Sequence, residues 1–521
     1  MSSGRRAAAL SGVAAVAAAL GVGEIVAVLT GPLTSPAIAV GGAIIDNVPE
    51  SLKHFAITLF GTHDKLALQV GMLVLLGLAG AGLGLLARTR LPSALAGIGA
   101  FALLGVVAAV TRYQAGPLAV LPSLAAGVTG VFVLYRLSRP VAAPSASADA
   151  EAAGSGDAEV PDSTDGAPAE NRRRVLVAGG VVLGLGVATA ALGRWYSLRR
   201  DVSAERAGVT LPQPASPAPP LPPAADSNLP RMSPFVTSNP LFYRIDTALI
   251  VPQIAPDGWR LRVHGRVRNP LTLTYDDLLK RPMIERYITL CCVSNEVGGG
   301  LISNARWLGV RVSDLLAEAD PEPGADQVVS RSGDGYTAGT PTELLRDGRD
   351  AILAVGMNGE PLPIDHGFPV RMVVPGLYGY VSATKWLTEL ELTSFADFDA
   401  YWVRRGWANK APIKLQSRID TPGSRAKAGT VVVGGIAWAQ HVGVSAVELR
   451  VDNGAWQPAK LYDVPSIDTW RQWTVQWEAT PGNHTLTVRA TDTAGKVQDE
   501  DQRPVLPDGA TGWHTIEVTV E

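Results

Sequence analysis

Five apolar runs crowd the first two hundred residues: Ala7 to Leu29, Leu66 to Ala87, Leu91 to Thr111, Pro117 to Leu134 and Val175 to Gly193. Each is long enough to cross the roughly 30 Å hydrocarbon core of a bilayer, where a backbone finds no hydrogen-bond partner but itself and is confined to helix. Arginine clusters mark the ends of the runs: Arg5 and Arg6, Arg88 and Arg90, Arg136 and Arg139, then Arg172 to Arg174. If every run crosses, all four clusters fall on one side, and the positive-inside rule makes that side cytoplasmic. The N-terminus then lies inside, and everything beyond the fifth span lies outside. Arg194, Arg199 and Arg200 follow that span on the outer side against the rule, which a large exported domain weakens.

Glu24 falls near the outer end of the first span, where a carboxylate reaches the interface; deeper in a bilayer it would face a partner or a proton path. The spans hold no histidine, since His54 and His63 both fall in the outer loop 30–65, so an intramembrane bis-histidine haem is poorly supported. "PAIAVGGAII" in that loop is too short to span and is expected to re-enter or lie on the surface.

Two linkers follow. Residues 140–171 carry seven carboxylates and no Lys, Arg or aromatic residue, a composition that cannot bury a core and predicts a disordered cytoplasmic tether. Residues 201–230 include "LPQPASPAPPLPPAADSNLP", which predicts an extended spacer leaving the membrane. Between them, residues 172–200 form the fifth span, whose start "NRRRVLVAGG" also resembles a twin-arginine export signal, a route for domains that fold before export. Net charge is only -3 with 18% charged residues, so nothing points to a nucleic-acid partner.

From Arg231 the pattern becomes that of a soluble mixed domain. "WRLRVHGRV" alternates like a strand, "TLTYDDLLK" reads as a helix start capped by Thr274 or Asp276, and "ERYITL" is a strand running into the two cysteines of the chain, Cys291 and Cys292. Neighbouring cysteines are poorly placed for a structural disulfide, and a four-ligand zinc site lacks the necessary spacing. One metal-binding thiolate or two buried thiols without a task both satisfy the pattern, and the second is the commoner situation. Gly298 to Gly300 read by default as a flexible loop, and "NARWLGVRVSDLL" as a turn into a helix. "MNGEPLP" predicts a reversal at Asn358 and Gly359, and "PVRMVVPG" a short buried strand. His366, Arg371 and Lys385 surround that strand and together suit an anionic, phosphate-bearing ligand.

"TLCCVSN", then "NARWLGV", then "MNGEPLP" with "DHGFPVRMVVPG" and "KW", resembles the sulfite oxidase family of molybdopterin enzymes, which also includes the protein-methionine-sulfoxide reductase catalytic subunit. The resemblance runs from about residue 235 to 521. It implies a molybdenum-molybdopterin cofactor with Cys292, at the cysteine of the family's "TLQCAGN" pattern, as the metal's protein ligand, and leaves Cys291 in the non-ligand position. A soft thiolate suits a metal that cycles between oxo-rich and reduced states. It implies cofactor contacts from Asn239, Phe242 and Tyr243 in "SNPLFYRID", from His366 and Arg371, and from Ala383, Thr384 and Lys385. Tyr336 in "GDGYTAG" falls where sulfite oxidases keep an active-site tyrosine. Where those enzymes follow the ligand with anion-binding arginines, this chain has Glu296, Val297 and glycines, which puts sulfite in doubt. No haem-binding domain of the cytochrome b5 type is visible, so a separate electron carrier, cytochrome or quinone-linked, is expected.

Beyond about residue 412 the pattern is all-β: "AVELRVDNGAW" turns at Asn453 and Gly454, and "TIEVTVE" alternates. An immunoglobulin-like sandwich is expected, with Trp438, Trp456 and Trp513 as core rather than binding platform. By resemblance this is a dimerisation-type domain, which allows a homodimer. The expected architecture is therefore multi-domain: all-α transmembrane helices (1–139, four spans, and 172–200), a mixed α+β sulfite-oxidase-like molybdopterin domain (231–408) and an all-β sandwich (409–521). The expected protein is a multi-pass cell-membrane oxidoreductase with its catalytic domain outside, transferring oxygen to or from a small sulfur- or nitrogen-oxo substrate. A surface-displayed binding or sensor protein that has lost its metal is the alternative. A transporter or quinone-coupled module in the five spans is disfavoured by their lack of histidines and paired charges.

Overall fold

The structure, a computed structural model, describes residues 3–31, 34–48, 59–60, 64–111, 116–139, 167–198 and 201–521. The chain divides into two compact units, residues 1–201 and 202–521.

The first unit is helical. Among the described residues, five helices are long and apolar enough to cross a membrane: Gly4–Thr30, Lys65–Ala87, Leu91–Val110, Leu121–Ser138 and Arg173–Tyr196. The fourth begins later than the apolar run predicts, because Pro122 sits in its first turn, where a missing N–H costs nothing. Small residues let the helices approach closely. A Cβ on Gly12 would lie 1.9 Å from the Gly80 carbonyl oxygen, and one on Gly84 would lie 2.1 Å from that of Ala8, so two small residues four apart on each helix form the contact. "PAIAVGGAII" belongs to the helix Pro36–Asn47, whose N-cap is Ser35. Glu24 is 8% exposed and accepts a hydrogen bond from the Ser35 hydroxyl. Residues 140–166 of the acidic linker, and His54 and His63, lie outside the described residues. The linker's last five residues open the helix Ala167–Leu198 instead of continuing the tether, with Pro168 at a position a helix start accepts.

The second unit carries two sheets that hold the site. Strands β1 (Arg260–Gly265), β2 (Leu271–Thr274), β5 (Gln327–Ser332), β6 (Thr337–Pro341) and β10 (Leu387–Thr393) order as β2-β1-β10-β5-β6, with β1 and β10 parallel. Strands β3 (Ile284–Cys291), β4 (Ile302–Arg311), β7 (Ile352–Met357) and β8 (Glu360–Pro361) order as β3-β4-β7-β8, and β9 (Arg371–Val373) also pairs with β7. Thr274 caps the short helix Tyr275–Leu279 through a capping box with Asp277. The β7–β8 hairpin turns on Asn358 and Gly359, both at positive φ (53° and 87°), as a two-residue turn requires.

Two expectations fail here. "NARWLGVR" is the body of β4 rather than a turn, although the helix expected after it is present as Val312–Ala319; β4 lies between β3 and β7 and is buried on both faces, so it shows no alternation. The Pro-rich linker opens with a short helix, Ser203–Gly208, and the residues after it are no free spacer. Ser216 bridges to Ile284, its carbonyl accepts from Glu285 N–H at 2.9 Å, and Ala225 is 2% exposed in the core. Proline removes donors but leaves carbonyls, and the open edge of β3 uses them.

Strands β11 (Gln416–Thr421), β13 (Gly429–Trp438), β17 (Arg471–Ala479) and β16 (Lys460–Leu461) form a third sheet. Strands β12 (Arg425–Ala426), β19 (His514–Val520), β18 (Gly482–Asp492), β14 (Val444–Val451) and β15 (Gln457–Pro458) form a fourth, with a shared core around Val433, Leu449, Trp473 and Val488. Trp438 and Trp470 join the core of the first two sheets, so residues 409–521 are continuous with the site-bearing region. Trp438 is core as expected, whereas Trp456 and Trp513 are half-buried and pair edge to face at 5.1 Å beneath Arg450 and Arg489.

A side chain on Gly309 would meet the Leu353 carbonyl oxygen at 2.1 Å and part β4 from β7. Gly309→Val is therefore expected to cost about 1–3 kcal/mol by overpacking, read as a fall of several degrees in the near-UV melting midpoint of the detergent-solubilised chain.

Candidate active site

The site begins where β3 ends. Side chains alternate along a strand, so the neighbouring thiols face opposite ways: Cys291 is 1% exposed in the core, and Cys292 opens into a cavity. The loop after Cys292 is tied down. Cys292 N–H donates to Leu301 O (2.9 Å), Asn295 N–H to Cys292 O (3.0 Å), and Leu301 N–H to Asn295 Oδ1 (2.8 Å). The expectation of a flexible glycine loop does not hold, because Arg418 Nη1 donates to Gly299 O at 2.6 Å and His514 fills the space beside Gly298. Gly298 has φ +77°, and a Cβ there would lie 2.3 Å from that imidazole.

The cavity brings together most of the expected residues. Phe242, Tyr243, Cys292, Tyr336, His366, Arg371, Ala383 and Lys385 line it; Asn239 and Thr384 do not. Asn239 stands behind His366, whose Nε2–H donates to the Asn239 carbonyl at 3.0 Å, and its own amide reaches Glu360 (2.6 Å) and Asn358 (2.8 Å). Thr384 is fully buried, its hydroxyl 2.7 Å from that of Ser330 on β5. Asp246, Asp334, Tyr380, Trp402 and Trp407 also line the cavity and escaped the sequence reading. Trp386, another lining residue, was within reach of the "KW" motif. Tyr380 belongs to the short helix Gly379–Ser382, and the others sit in turns and loops with no pattern of their own.

One group of lining residues is cationic. Arg371 is 5% exposed; its Nη1 donates to His366 O (3.1 Å), its Nη2 to Ala383 O (3.4 Å), and its guanidinium lies 5.0 Å from the Trp307 ring. Burial lowers its pKa to about 10. Lys385 donates to Asp246 (2.8 Å) and Asp365 O (3.2 Å); burial brings it down to about 8 against the pull of Asp246. Burial, then the charge of Arg371, depresses His366 to about 4, so it stands neutral with Nδ1 as an acceptor.

The thiol sits between two phenols. Burial holds Tyr243 and Tyr336 well above the usual tyrosine range, and the charge of Cys292 pushes both further. Cys292 is itself raised by burial, opposed by the N–H and hydroxyl of Ser294, while Cys291 is driven much higher by burial and by its neighbour's charge. Of the two sulfurs, only Cys292 has both an opening and a donor set for a thiolate.

A profile of the oxidoreductase molybdopterin binding domain matches residues 248–402. The oxidoreductase YuiH of Bacillus subtilis (strain 168) is 34% identical over 149 residues, which are 29% of this chain and 72% of that one. The mitochondrial sulfite oxidases of rat and human are each 31% identical over 342 residues. The chain belongs to the sulfite oxidase family of molybdopterin-dependent oxidoreductases. The matched region is 55% of this chain and 62% of those sulfite oxidases, so the chain spans less than two thirds of their length. The sulfane dehydrogenase SoxCD from Paracoccus pantotrophus shares the fold, with 24% identity and a TM-score of 0.50 over 55% of this chain and 82% of that one.

The cofactor of this sulfite oxidase family member is molybdenum carried by molybdopterin. The site fits it. Arg371 pairs with no carboxylate among the described residues, and its buried Nε has no hydrogen-bond partner. A guanidinium so placed is costly until an anion completes it. Among the described residues no group of three or more His, Cys, Asp or Glu would hold a metal, and of the two cysteines Cys292 is the one that lines the cavity.

Between pH 6.5 and about 4 the unfolded chain holds a proton on His366 that the folded chain refuses, so this residue makes stability fall as acid is added through that window. In cofactor-free full-length chain, His366→Gln is expected to remove up to about 3 kcal/mol of the stability difference between pH 7 and pH 4, measured by denaturant titration at each pH. A parent and variant with parallel pH profiles would show that His366 titrates normally.

Proposed function

We propose that this chain is a membrane-anchored oxidoreductase that carries out two-electron oxo transfer on a small sulfur- or nitrogen-oxo compound outside the cytoplasm. The observation that carries the reading is the Cys292 thiol opening into a cavity beside a buried, carboxylate-free Arg371. When bound, the cofactor supplies a metal centre that gives or takes an oxygen atom with two electrons.

The chain's own groups divide the remaining work. Cys292 is the metal's protein ligand. Arg371 and Lys385 neutralise the anionic end of the pterin, neutral His366 accepts a hydrogen bond from it, and Phe242, Tyr243 and Ala383 shape its berth. Asn239 and Thr384 act through their neighbours, Asn239 by fixing the His366 ring and Thr384 by anchoring the turn before Lys385 to β5. Tyr336, kept protonated by burial, directs its proton to the Tyr380 carbonyl (2.9 Å) and so offers the reacting region an oxygen lone pair. Electrons pass to or from a separate carrier, a cytochrome or a quinone-linked protein.

Five apolar helices and four arginine clusters support a multi-pass anchor with a cytoplasmic N-terminus and the unit 202–521 outside. The two sheets of residues 409–521 fit an immunoglobulin-like arrangement, and a homodimer through them is part of the proposal.

Cys292→Ser is expected to lower the molybdenum-to-protein ratio at least about tenfold in a molybdopterin-competent host, measured by elemental analysis, with Cys291→Ala retaining the metal. A parent chain that never takes up molybdenum would favour the binding or sensor alternative. For topology, alkaline phosphatase fused after Leu198 should be active and fused after Ser138 inactive; the reverse would invert the orientation.

A further inference from the structure

Arg199 and Arg200 follow the fifth span on the side where the positive-inside rule gives them no role, and nothing in the active site draws on them. Their place in the chain suggests another use. The span ends in Trp195 and Tyr196, both exposed, an aromatic pair of the kind that favours a membrane–water interface. Its helix stops at Leu198, and Val202 is already buried in the core cluster that holds Phe242. Four Cα steps reach at most about 15 Å, so the unit 202–521 begins almost as soon as the span is over.

The start of that unit is fixed to one surface. Val202 N–H donates to Gln253 Oε1 at 3.2 Å, and Arg206 donates to Glu360 (2.8 Å) and to the carbonyls of Pro361 (2.6 Å) and Leu362 (2.7 Å). The other oxygen of Glu360 accepts from Asn239 at 2.6 Å, which brings the turn Asn239–Leu241 beside the point of entry. Leu241 is 75% exposed, the most open large apolar side chain of residues 202–521, and Ile245, four residues on, is 50% exposed. The charge between them is neutralised, since Arg244 pairs with Asp246 (2.9 Å) and Asp365 (3.3 Å). Single exposed apolar residues are ordinary. Two of them beside a membrane exit, next to a short basic tether, suit a lipid surface: the apolar groups enter the headgroup boundary and the arginines attract anionic lipid.

We infer that the face carrying Leu241 and Ile245 rests on the bilayer surface. Ile245 also lines the cavity, so this face includes one edge of the cavity mouth, and ligands reach the site along the lipid surface. The inference rests on the membrane-anchor reading proposed above.

The test places a fluorescent amino acid, by amber suppression, at 241 or 245 of the full-length, cofactor-loaded chain in phosphatidylcholine nanodiscs. Fluorescence is compared with and without phosphatidylcholine spin-labelled high on its acyl chain. Position 66, at the start of the span Lys65–Ala87, reports lipid contact of the anchor. Position 432 is the reference away from lipid, because Val432 lies on the exposed half of β13, well out from Trp438 in the core. Quenching of about twofold or more is expected at 241 and 245, as at 66, with little at 432. Leu241→Asp is expected to bring quenching at 245 down toward that at 432, whereas a face merely carried near the bilayer by its tether would keep it. Quenching at 66 without quenching at 241 and 245, or quenching at 245 that ignores Leu241→Asp, would overturn the inference and leave the anchor standing. So would self-quenching between probes of two copies in place of lipid quenching, which would make a second copy the occupant. No quenching at 66 would overturn the anchor reading and this inference with it.

Discussion

The alternation of side chains along β3 decides which of two adjacent thiols can do chemistry, and much of the site is arranged around that choice. One residue of rise turns Cys291 into the core and Cys292 into the cavity. A slip of one residue in the pairing of β3 with β4 would exchange them, so the register must be held. It is held on both edges. β4 pairs with β3 over its full length; on the opposite edge, Ser216 bridges to Ile284, while Thr289 N–H donates to Asp468 O at 3.0 Å and its hydroxyl accepts from Trp470 N–H at 2.8 Å. The proline-rich strap and the third sheet thus serve the same end from different parts of the chain.

The C-terminal sheets reach the thiol more directly than their place in the sequence implies. Arg418 at the heart of β11 donates to Gly299 O, and His514 at the start of β19 blocks any side chain at Gly298. A loop that must present a sulfur within tenths of an ångström gains from being clamped by rigid strands, since a ligand held loosely loses affinity and orientation. The glycines are then a requirement of close approach, not a sign of mobility.

What could be read from the residues follows how local each signal is. The Asn358–Gly359 reversal, the Thr274 cap and the strand into the cysteines are short-range patterns, and each is found where the sequence places it. β4 misleads because a strand buried on both faces carries no period. Residues 211–230 mislead because proline density marks extended backbone without saying whether that backbone is solvated or docked. Asp334, Trp402 and Trp407 were illegible for a related reason: they come from separate turns, and only the packing of β5, β6 and the segment after β10 brings them to one cavity. His366, Arg371 and Lys385 were legible because they flank a single short strand.

The cavity lining carries both cations and aromatic rings, and the two make different demands on a ligand. Around Arg371 and Lys385 the protein has spent burial on positive charge and left it short of carboxylates, with Asp246 pairing with Lys385 from the lining. The rings of Tyr380, Trp402 and Trp407 and the carboxylate of Asp334 also line it. A polyanionic cofactor placed against the rings would strand Arg371 unpaired; placed against the cations, it completes that guanidinium. Cys292 lies within electrostatic reach of both Tyr243 and Tyr336. Charge would therefore orient an anionic cofactor toward Arg371 and Lys385 before any contact with substrate.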